Sequence, residues 1–368
     1  MADAPDLGSG VYDVGVQVPS SALVRFTIAV NYSTLFTIIH NHTHNNPHYK
    51  GADSFMAEIV IMGELLVEIM RPKEDIPLYE SDYFRGPFPS GAPGIFISTA
   101  ARLGHSTAII SGVGNDDFGE CIMRRLKHDG VDVSRVIIPE DGHTGIAFVT
   151  YFADGERKFL FYMDNSPCVK AKAPADMAGF EDTRFMHIMG CSLMADVNFA
   201  REIIKMMNMM KSRGVKISFD PNVRLEMMKD KVVLDMLQEV FMSSSILMPG
   251  VSEIKMFTGK DSVDDAIASV FTNPSLEVLV LKNGSKGSKI YTRKGLEFEQ
   301  PIYKVVQADA TGAGDSYDAA FICGIAEGKS LAEAAKMGAA AGALNAAAFG
   351  PMEGKISPES VREMIARA

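Results

Sequence analysis

The feature that most constrains this chain is an alternation. Short apolar runs are separated by helical stretches from residue 58 to residue 281. The runs 58–63 (EIVIMG), 107–111 (TAIIS), 184–190 (RFMHIMG), 215–219 (VKISF), 245–248 (SILM) and 277–281 (EVLVL) read as strands. Stretches near 94–103, 116–128, 196–213, 229–241 and 261–271 read as helices. Near-continuous apolar strands alternating with helices predict a mostly parallel sheet covered on both faces, with ligands at the carboxyl ends of its strands. Two stretches break the alternation. Residues 67–90 carry aromatics and prolines, and residues 145–163 read as a hairpin turning at Asp154–Gly155. Together they predict a small β-sheet lid. Further on, Ser330 with Glu333 fits a capping box opening a helix over 331–348, and Ser357–Pro358 starts a last short helix.

Composition excludes several classes. A net charge of −10 argues against a surface that coats nucleic acid, which needs clustered Lys and Arg. Four cysteines with no CxxC spacing (Cys121, Cys168, Cys191 and Cys323) fit reduced thiols in a cytoplasmic protein and give neither a zinc site nor a disulfide framework. Residues 1–55 differ from the rest: they contain no Glu, two basic residues (Arg25 and Lys50) and four of the eight histidines. Arg25 and Asn31 interrupt the apolar run 22–39, which argues against a spanning helix, and no positive region precedes it as a signal peptide requires. The tract HNHTHNNPH reads as a solvated loop. We expect residues 1–55 to be an extension outside the catalytic fold and 56–368 to form one catalytic domain, with no membrane partner.

Residues 309–318 (DATGAGDSYD) carry the chemistry, and the small-residue stretch AAFICGIA follows them. Gly312, Ala313 and Gly314 have almost no side chain, so a loop there brings backbone N–H groups close to an anion. A helix beginning beside Gly314 adds unpaired donors and the positive end of its dipole. Such a site stabilises the charge of a transferring phosphoryl group, and Asp315 at its rim can accept the proton of an attacking hydroxyl. The same residues also fit a tight turn into a buried helix with Asp315 as its cap. A Rossmann reading lacks its third Gly, and the spacing of a Walker A loop is absent.

The segment DATGAGDSYDAAF resembles the C-terminal signature of the ribokinase/PfkB carbohydrate kinases, D-T-x-G-A-G-D-x-F. Further blocks follow the family's order: Gly63-Glu64, SGAPGIFISTAARLG (90–104), GVGNDDFG (112–119), FDPNVR (219–224), LKNGSKGSKIY (281–291) and FGPMEG (349–354). The resemblance covers nearly all of residues 56–368. It implies a ribokinase-like three-layer α/β/α sandwich with a β-sheet lid, acting as an ATP-dependent sugar kinase with Mg2+.

Residue by residue, the resemblance implies Asp315 as catalytic base, Gly312, Ala313 and Gly314 as anion hole, and Arg224 and Asn222 near the phosphates and the sugar. A strand-end turn with a surface ion pair is the other reading of Asn222 and Arg224. The resemblance places Glu68, Ser90, Gly91 and Ala92 at the sugar, and Lys282, Asn283, Gly284, Gly287 and Asn345 at the nucleotide. A plain Gly-rich hairpin competes for 282–287. Glu253 would organise Mg2+ through water, and Asp309 would help hold a monovalent cation such as K+. Many relatives pair their lids into a homodimer. The departures fall at the sugar and the metal: Ile95 replaces the Asn of G-G-x-x-x-N, Glu68 replaces the early Asp, and Gly250 replaces the Asn of N-x-x-E.

The combination GPFPSGAPGIFI (86–97), FDPNVR and GPMEG resembles the branch containing tagatose kinases, which implies phosphorylation of the terminal hydroxyl of a ketohexose such as tagatose or fructose. A 2-keto-3-deoxygluconate kinase is the nearest alternative. A non-catalytic sugar-binding regulator on a kinase fold is the reading from another class.

Overall fold

Ile59–Met62 is buried at every position, as a strand covered on both faces must be. The computed structural model describes residues 57–153, 157–224, 227 and 231–367. The expectations for residues 1–55 and for the Asp154–Gly155 turn lie outside the described residues, as does the predicted helix start at 229.

β1 (Ile59–Met62) is central. Parallel pairing joins it to β4 (Thr107–Gly112) and β8 (Phe185–Met189). From β8 the sheet continues through β9 (Lys216–Asp220), β10 (Ile246–Leu247) and β11 (Val278–Lys282), all parallel. β5 (Val136–Ile137) closes the edge beyond β4, again parallel. At the other edge β12 (Ser288–Thr292) and β13 (Gly295–Gln300) add in antiparallel pairing. The alternation of runs did not disclose these last two strands, because Lys289, Glu297 and Glu299 leave them half polar on an exposed margin.

The connecting helices are α1 (Ala92–Arg102), α2 (Asp117–Asp129), α3 (Gly190–Ala195), α4 (Val197–Ser212), α5 (Lys231–Ser243), α6 (Val251–Thr258) and α7 (Val263–Val270). The expected helix 196–213 is preceded by α3, and the two divide at Asp196. The extended Asp196 accepts from the N–H groups of Asn198 and Phe199, so it caps α4. α6 was not anticipated.

The C-terminal helices α8 (Ala313–Ala326), α9 (Leu331–Ala346) and α10 (Pro358–Ala366) complete the body. Ser330 and Glu333 form the expected capping box, with Glu333 N–H to Ser330 Oγ at 3.3 Å and Ser330 N–H to Glu333 Oε2 at 2.9 Å. Small residues let α8 and α9 approach: a Cβ on Gly324 would sit 2.9 Å from Ala334, and one on Gly338 would sit 3.0 Å from the Tyr317 ring. That close packing buries nearly all of α8.

The lid is a separate four-stranded sheet in the order β3–β2–β6–β7. Its strands are β2 (Leu66–Met70), β3 (Arg85–Ser90), β6 (Gly145–Tyr151) and β7 (Arg157–Tyr162). Both excursions expected from the sequence are therefore strands of one sheet. Fully buried Arg71 organises the segment between β2 and β3, donating to the carbonyls of Pro77, Glu80 and Tyr83, with its guanidinium 3.8 Å from the Phe84 ring centroid.

Gly190, where β8 enters α3, is held to its type by space. A Cβ there would lie 1.9 Å from the Pro221 carbonyl oxygen, beside the turn that carries Asn222. Gly190→Ala is expected to cost about 1–3 kcal/mol. Urea denaturation followed by circular dichroism measures the loss.

Candidate active site

The carboxyl ends of the parallel strands converge below α8. β9 ends at Asp220, Pro221 interrupts further pairing, and Asn222 takes a left-handed turn with φ 38°. Asn tolerates that region better than most residues. The turn aims the Asn222 amide at α8, where Nδ2 donates to Asp315 Oδ1 at 3.0 Å.

Asp315 lies in the first turn of α8, directly after Gly312 (φ 77°) and Gly314. At Gly312 a Cβ would collide with the Pro351 carbonyl at 2.3 Å, whereas at Gly314 it would meet open space. The loop is thus tight on one side and bare on the other, which leaves helix N-terminal N–H groups available to an anion.

Two cavities meet here. One of about 230 Å³ lies between lid and body and is lined by Glu64, Glu68, Ile95, Arg157, Asn222, Arg224, Glu253 and Asp315, among others. The second, about 580 Å³, runs over Gly284, Gly287, Tyr303, Ala313, Gly342, Ala343 and Ala346. Lys282, Ala310 and Gly314 border both. An acidic, polar chamber and a larger, more apolar one share a wall at the loop that opens α8.

The acidic chamber contains unsatisfied groups. Glu68 Oε1 accepts from Ser90 Oγ at 2.7 Å, but Oε2 is buried without a partner, and so is Asn222 Oδ1. Each is an acceptor that a ligand hydroxyl would satisfy. Burial, with Asp309 and Asp315 nearby, pushes the Glu68 carboxyl up to about 7. Burial and neighbouring Asp220 push Asp315 up to about 6, although Arg224, Lys282 and Arg157 oppose the rise. Glu64 is also raised by burial, and its carboxylate accepts from Ser192 Oγ and Cys191 Sγ.

Lys282 is fixed beneath both chambers. Its Nζ donates to Asp220 Oδ2 and Asp318 Oδ2, each at 2.8 Å. Although burial works against the charge, the two carboxylates hold the Lys282 ammonium well above its ordinary range. Burial drives Asp318 upward, whereas at Asp220 Lys282, Asp318 and His187 together overcome burial and hold the carboxyl down.

Of the residues singled out in the sequence, Glu68, Gly91, Ala92, Asn222, Arg224, Glu253, Gly312, Gly314 and Asp315 line the first chamber, and Gly284, Gly287, Ala313 and Gly314 the second. Others are placed differently. Lys282 borders both chambers, but its ammonium is taken up by the two aspartates. Ser90 is fully buried behind Glu68 and supports it. Asn283 lines neither chamber; its N–H donates to the Gly287 carbonyl at 2.8 Å and closes the glycine turn. Asn345 is a brace, not a nucleotide contact: Nδ2 donates to the carbonyls of Thr311 (2.8 Å) and Pro351 (3.0 Å), and Oδ1 accepts from Gly354 N–H at 3.3 Å. Both its N–H donors and one Oδ1 lone pair tie the 311–312 loop to the 350–354 turn.

Asp309 is already engaged within the fold. Its carboxylate already accepts from Tyr151 Oη (3.0 Å), Thr311 N–H (2.9 Å) and Gly350 N–H (3.1 Å). The monovalent cation expected there would share the carboxylate with these three donors.

Asp220, Asp318, Glu64 and Arg157 were missed. Asp318 carried a readable signal, since it lies three residues after Asp315 and so on a neighbouring face of the helix. Asp220 ends a parallel strand, where this architecture places ligands. Arg157, on the lid, had no such mark.

Glu68 yields a stability test. Its folded value, about 7, lies above the unfolded value of 4.5, so the folded state holds an extra proton between them. Stability from this group is therefore lost as pH rises through that window. Glu68→Gln is expected to be more stable than the parent at pH 8, by up to about 3 kcal/mol, and nearly equal to it at pH 4. Urea denaturation at both pH values checks the sign.

Comparison with known proteins agrees with this geometry. The model of the pfkB family carbohydrate kinases matches residues 56–357. Fructokinase-1 of Oryza sativa subsp. japonica is 30% identical over 297 residues, covering 78% of this chain and 91% of the relative. Fructokinase-2 of Solanum lycopersicum is 29% identical over 75% of this chain and 84% of its own. These plant relatives are fructokinases, so they do not single out the tagatose-kinase branch. An E. coli protein provisionally named ribokinase II, solved with ATP and Mg2+, is 34% identical with a TM-score of 0.77, over 85% of this chain and 100% of that one. The chain belongs to the pfkB family of carbohydrate kinases, and it is a sugar kinase with the ribokinase-like fold.

Proposed function

We propose that the chain transfers the γ-phosphoryl group of ATP to a primary hydroxyl of a ketohexose, fructose or tagatose, with Asp315 as general base. The observation that carries this reading is the position of Asp315. It stands where the two chambers meet, at the N-terminus of α8, with its carboxylate held by Asn222 and raised to about 6. A base with that value is ionised at neutral pH and still basic enough to take a proton as the hydroxyl attacks.

The acidic chamber suits a polyol. Glu68 Oε2 and Asn222 Oδ1 are buried acceptors without partners, which two sugar hydroxyls would complete. The apolar chamber suits adenosine, with its glycine-lined floor permitting close approach. Between them, the N–H groups at Gly314 and the guanidiniums of Arg224 and Arg157 face the space where phosphoryl charge develops. The fructokinase relatives support a ketohexose.

Among the described residues no group of three or more His, Cys, Asp or Glu is arranged to hold a metal. Mg2+ accompanying ATP would be held chiefly by phosphate oxygens and water, neutralising their charge. Glu253 fits a water-mediated role: its oxygens accept from Val223 N–H (2.8 Å) and Gly250 N–H (2.6 Å), and each keeps a lone pair.

One observation favours a second acceptor. Arg157 and Arg224 line a chamber in which Ile95 replaces an amide. A carboxylate would pair with the guanidiniums and a deoxy carbon would pack on Ile95, which describes 2-keto-3-deoxygluconate. ATP-coupled turnover against fructose, tagatose, 2-keto-3-deoxygluconate, ribose and adenosine decides; preference for the sugar acid would replace the ketohexose. No turnover with any of them would favour a binding role.

Asp315→Asn is expected to lower kcat by about 10²–10⁴-fold with acceptor KM nearly unchanged. Near-parental kcat would sink the general-base assignment. In the parent enzyme, kcat/KM should fall about tenfold per pH unit below about 6, as Asp315 takes up its proton. A stopped assay over pH 5–8 traces that limb.

A further inference from the structure

Tyr151 and Arg157 are directly opposite each other across the antiparallel pair β6–β7. Both reach out of the lid to the loop that precedes α8. Tyr151 Oη donates to Asp309 Oδ1 at 3.0 Å and lies 3.1 Å from Thr311 Oγ1. Arg157 Nη1 donates to the same Thr311 Oγ1 at 3.3 Å. On the far side the core grips the same loop, through Gly350 N–H to Asp309 Oδ2 and Asn345 Nδ2 to the Thr311 carbonyl.

We infer that this cross-strand pair is a latch between the lid and the anion hole, and that Tyr151 is a positioning residue for phosphoryl transfer. The inference rests on the reading of residues 312–315 as the anion hole. Thr311 adjoins Gly312, whose φ of 77° starts the turn into α8. Any rotation of the 309–311 segment therefore redirects the N–H groups at Gly314. With hydroxyl and guanidinium in place, the segment is held from both sides. Without the Tyr151 hydroxyl, the lid holds the segment only through Arg157 on Thr311, and Asp309 loses one of its three donors.

The geometry explains why the donor is a tyrosine. Burial, and the Asp309 carboxylate beside it, push the phenol further above its ordinary range, so it remains a protonated donor at any working pH. Tyr151 is absent from the wall of the sugar chamber, whereas Arg157 is part of it. Loss of the hydroxyl should consequently act on turnover and leave acceptor affinity alone. Arg157 contributes to both.

The test uses the full chain with ATP and whichever of fructose or tagatose it phosphorylates. Tyr151→Phe removes one oxygen atom and is expected to lower kcat about tenfold, with acceptor KM within about twofold of the parent. Thr311→Val removes the other end of the latch and carries the test if the first variant folds poorly. The double variant should be no slower than the slower single one, since both break one network. Unchanged or raised kcat in a folded Tyr151→Phe protein overturns the latch. So does a loss seen in KM alone, or losses that multiply in the double variant. Asp315→Asn is the control: if it retains turnover, the anion-hole reading fails, whereas an inactive Asp315→Asn beside a fully active Tyr151→Phe removes only the latch.

Discussion

The buried contact of Lys282 with Asp220 and Asp318 is the constraint on which the rest of the site depends. It joins the ends of β9 and β11 to the first turns of α8. Burying such charges is costly, and the attraction among them offsets that cost only while all three are present. Removing the lysine would leave two carboxylates facing each other in a dry interior. The same cluster contributes to the field at Asp315: Asp220 raises the carboxyl and Lys282 lowers it, so its ionisation depends on groups bound to each other.

That arrangement separates what was legible in the sequence from what was not. The strands of the parallel sheet could be read because burial on both faces leaves unbroken apolar runs, as in Ile59–Met62 and Val278–Leu281. The loop at 309–315 was legible because its small residues and acid stand in the order of a long family signature, which a tight turn alone would not require. The fates of Lys282 and Asn345 were not, because each depends on residues far away in the chain. Both read as nucleotide contacts until Asp220 and Asp318 fold against Lys282 and the 350–354 turn closes over Asn345. The edge strands β12 and β13 escaped for the converse reason. They are half solvated, so their pattern is weak.

The sugar side departs from the family motif in a physically connected way. Ile95 contributes no hydrogen bond where an amide is usual, and Glu68 extends one methylene further than Asp from the same strand. The longer carboxyl reaches the chamber wall with Ser90 holding one oxygen and leaving the other unpaired. On the proposed reading, one polar contact to the sugar is withdrawn and another is supplied by a longer side chain, while the 312–315 loop keeps the family signature. Discrimination between sugars turns on a few such hydroxyl contacts, because an unmet buried acceptor rejects a ligand lacking the matching donor.

An acidic protein that handles a more acidic ligand needs local positive potential. The chain carries a net charge of −10, yet the space below α8 is bounded by Arg157, Arg224, Lys282 and the N-terminus of a fourteen-residue helix. Lys282 is already neutralised by its aspartates, so the usable charge comes from two arginines and from backbone N–H groups. One arginine sits on the body, after the Asn222 turn. The other sits on the lid, and both guanidiniums lie within 5.8 Å of the Phe159 ring centroid. Half of the side-chain charge therefore arrives with the lid, while the backbone donors stay with α8. On the proposed reading, phosphoryl transfer would require both halves in register at once, which would couple the chemistry to the seating of the lid on the loop at Asp309–Gly312.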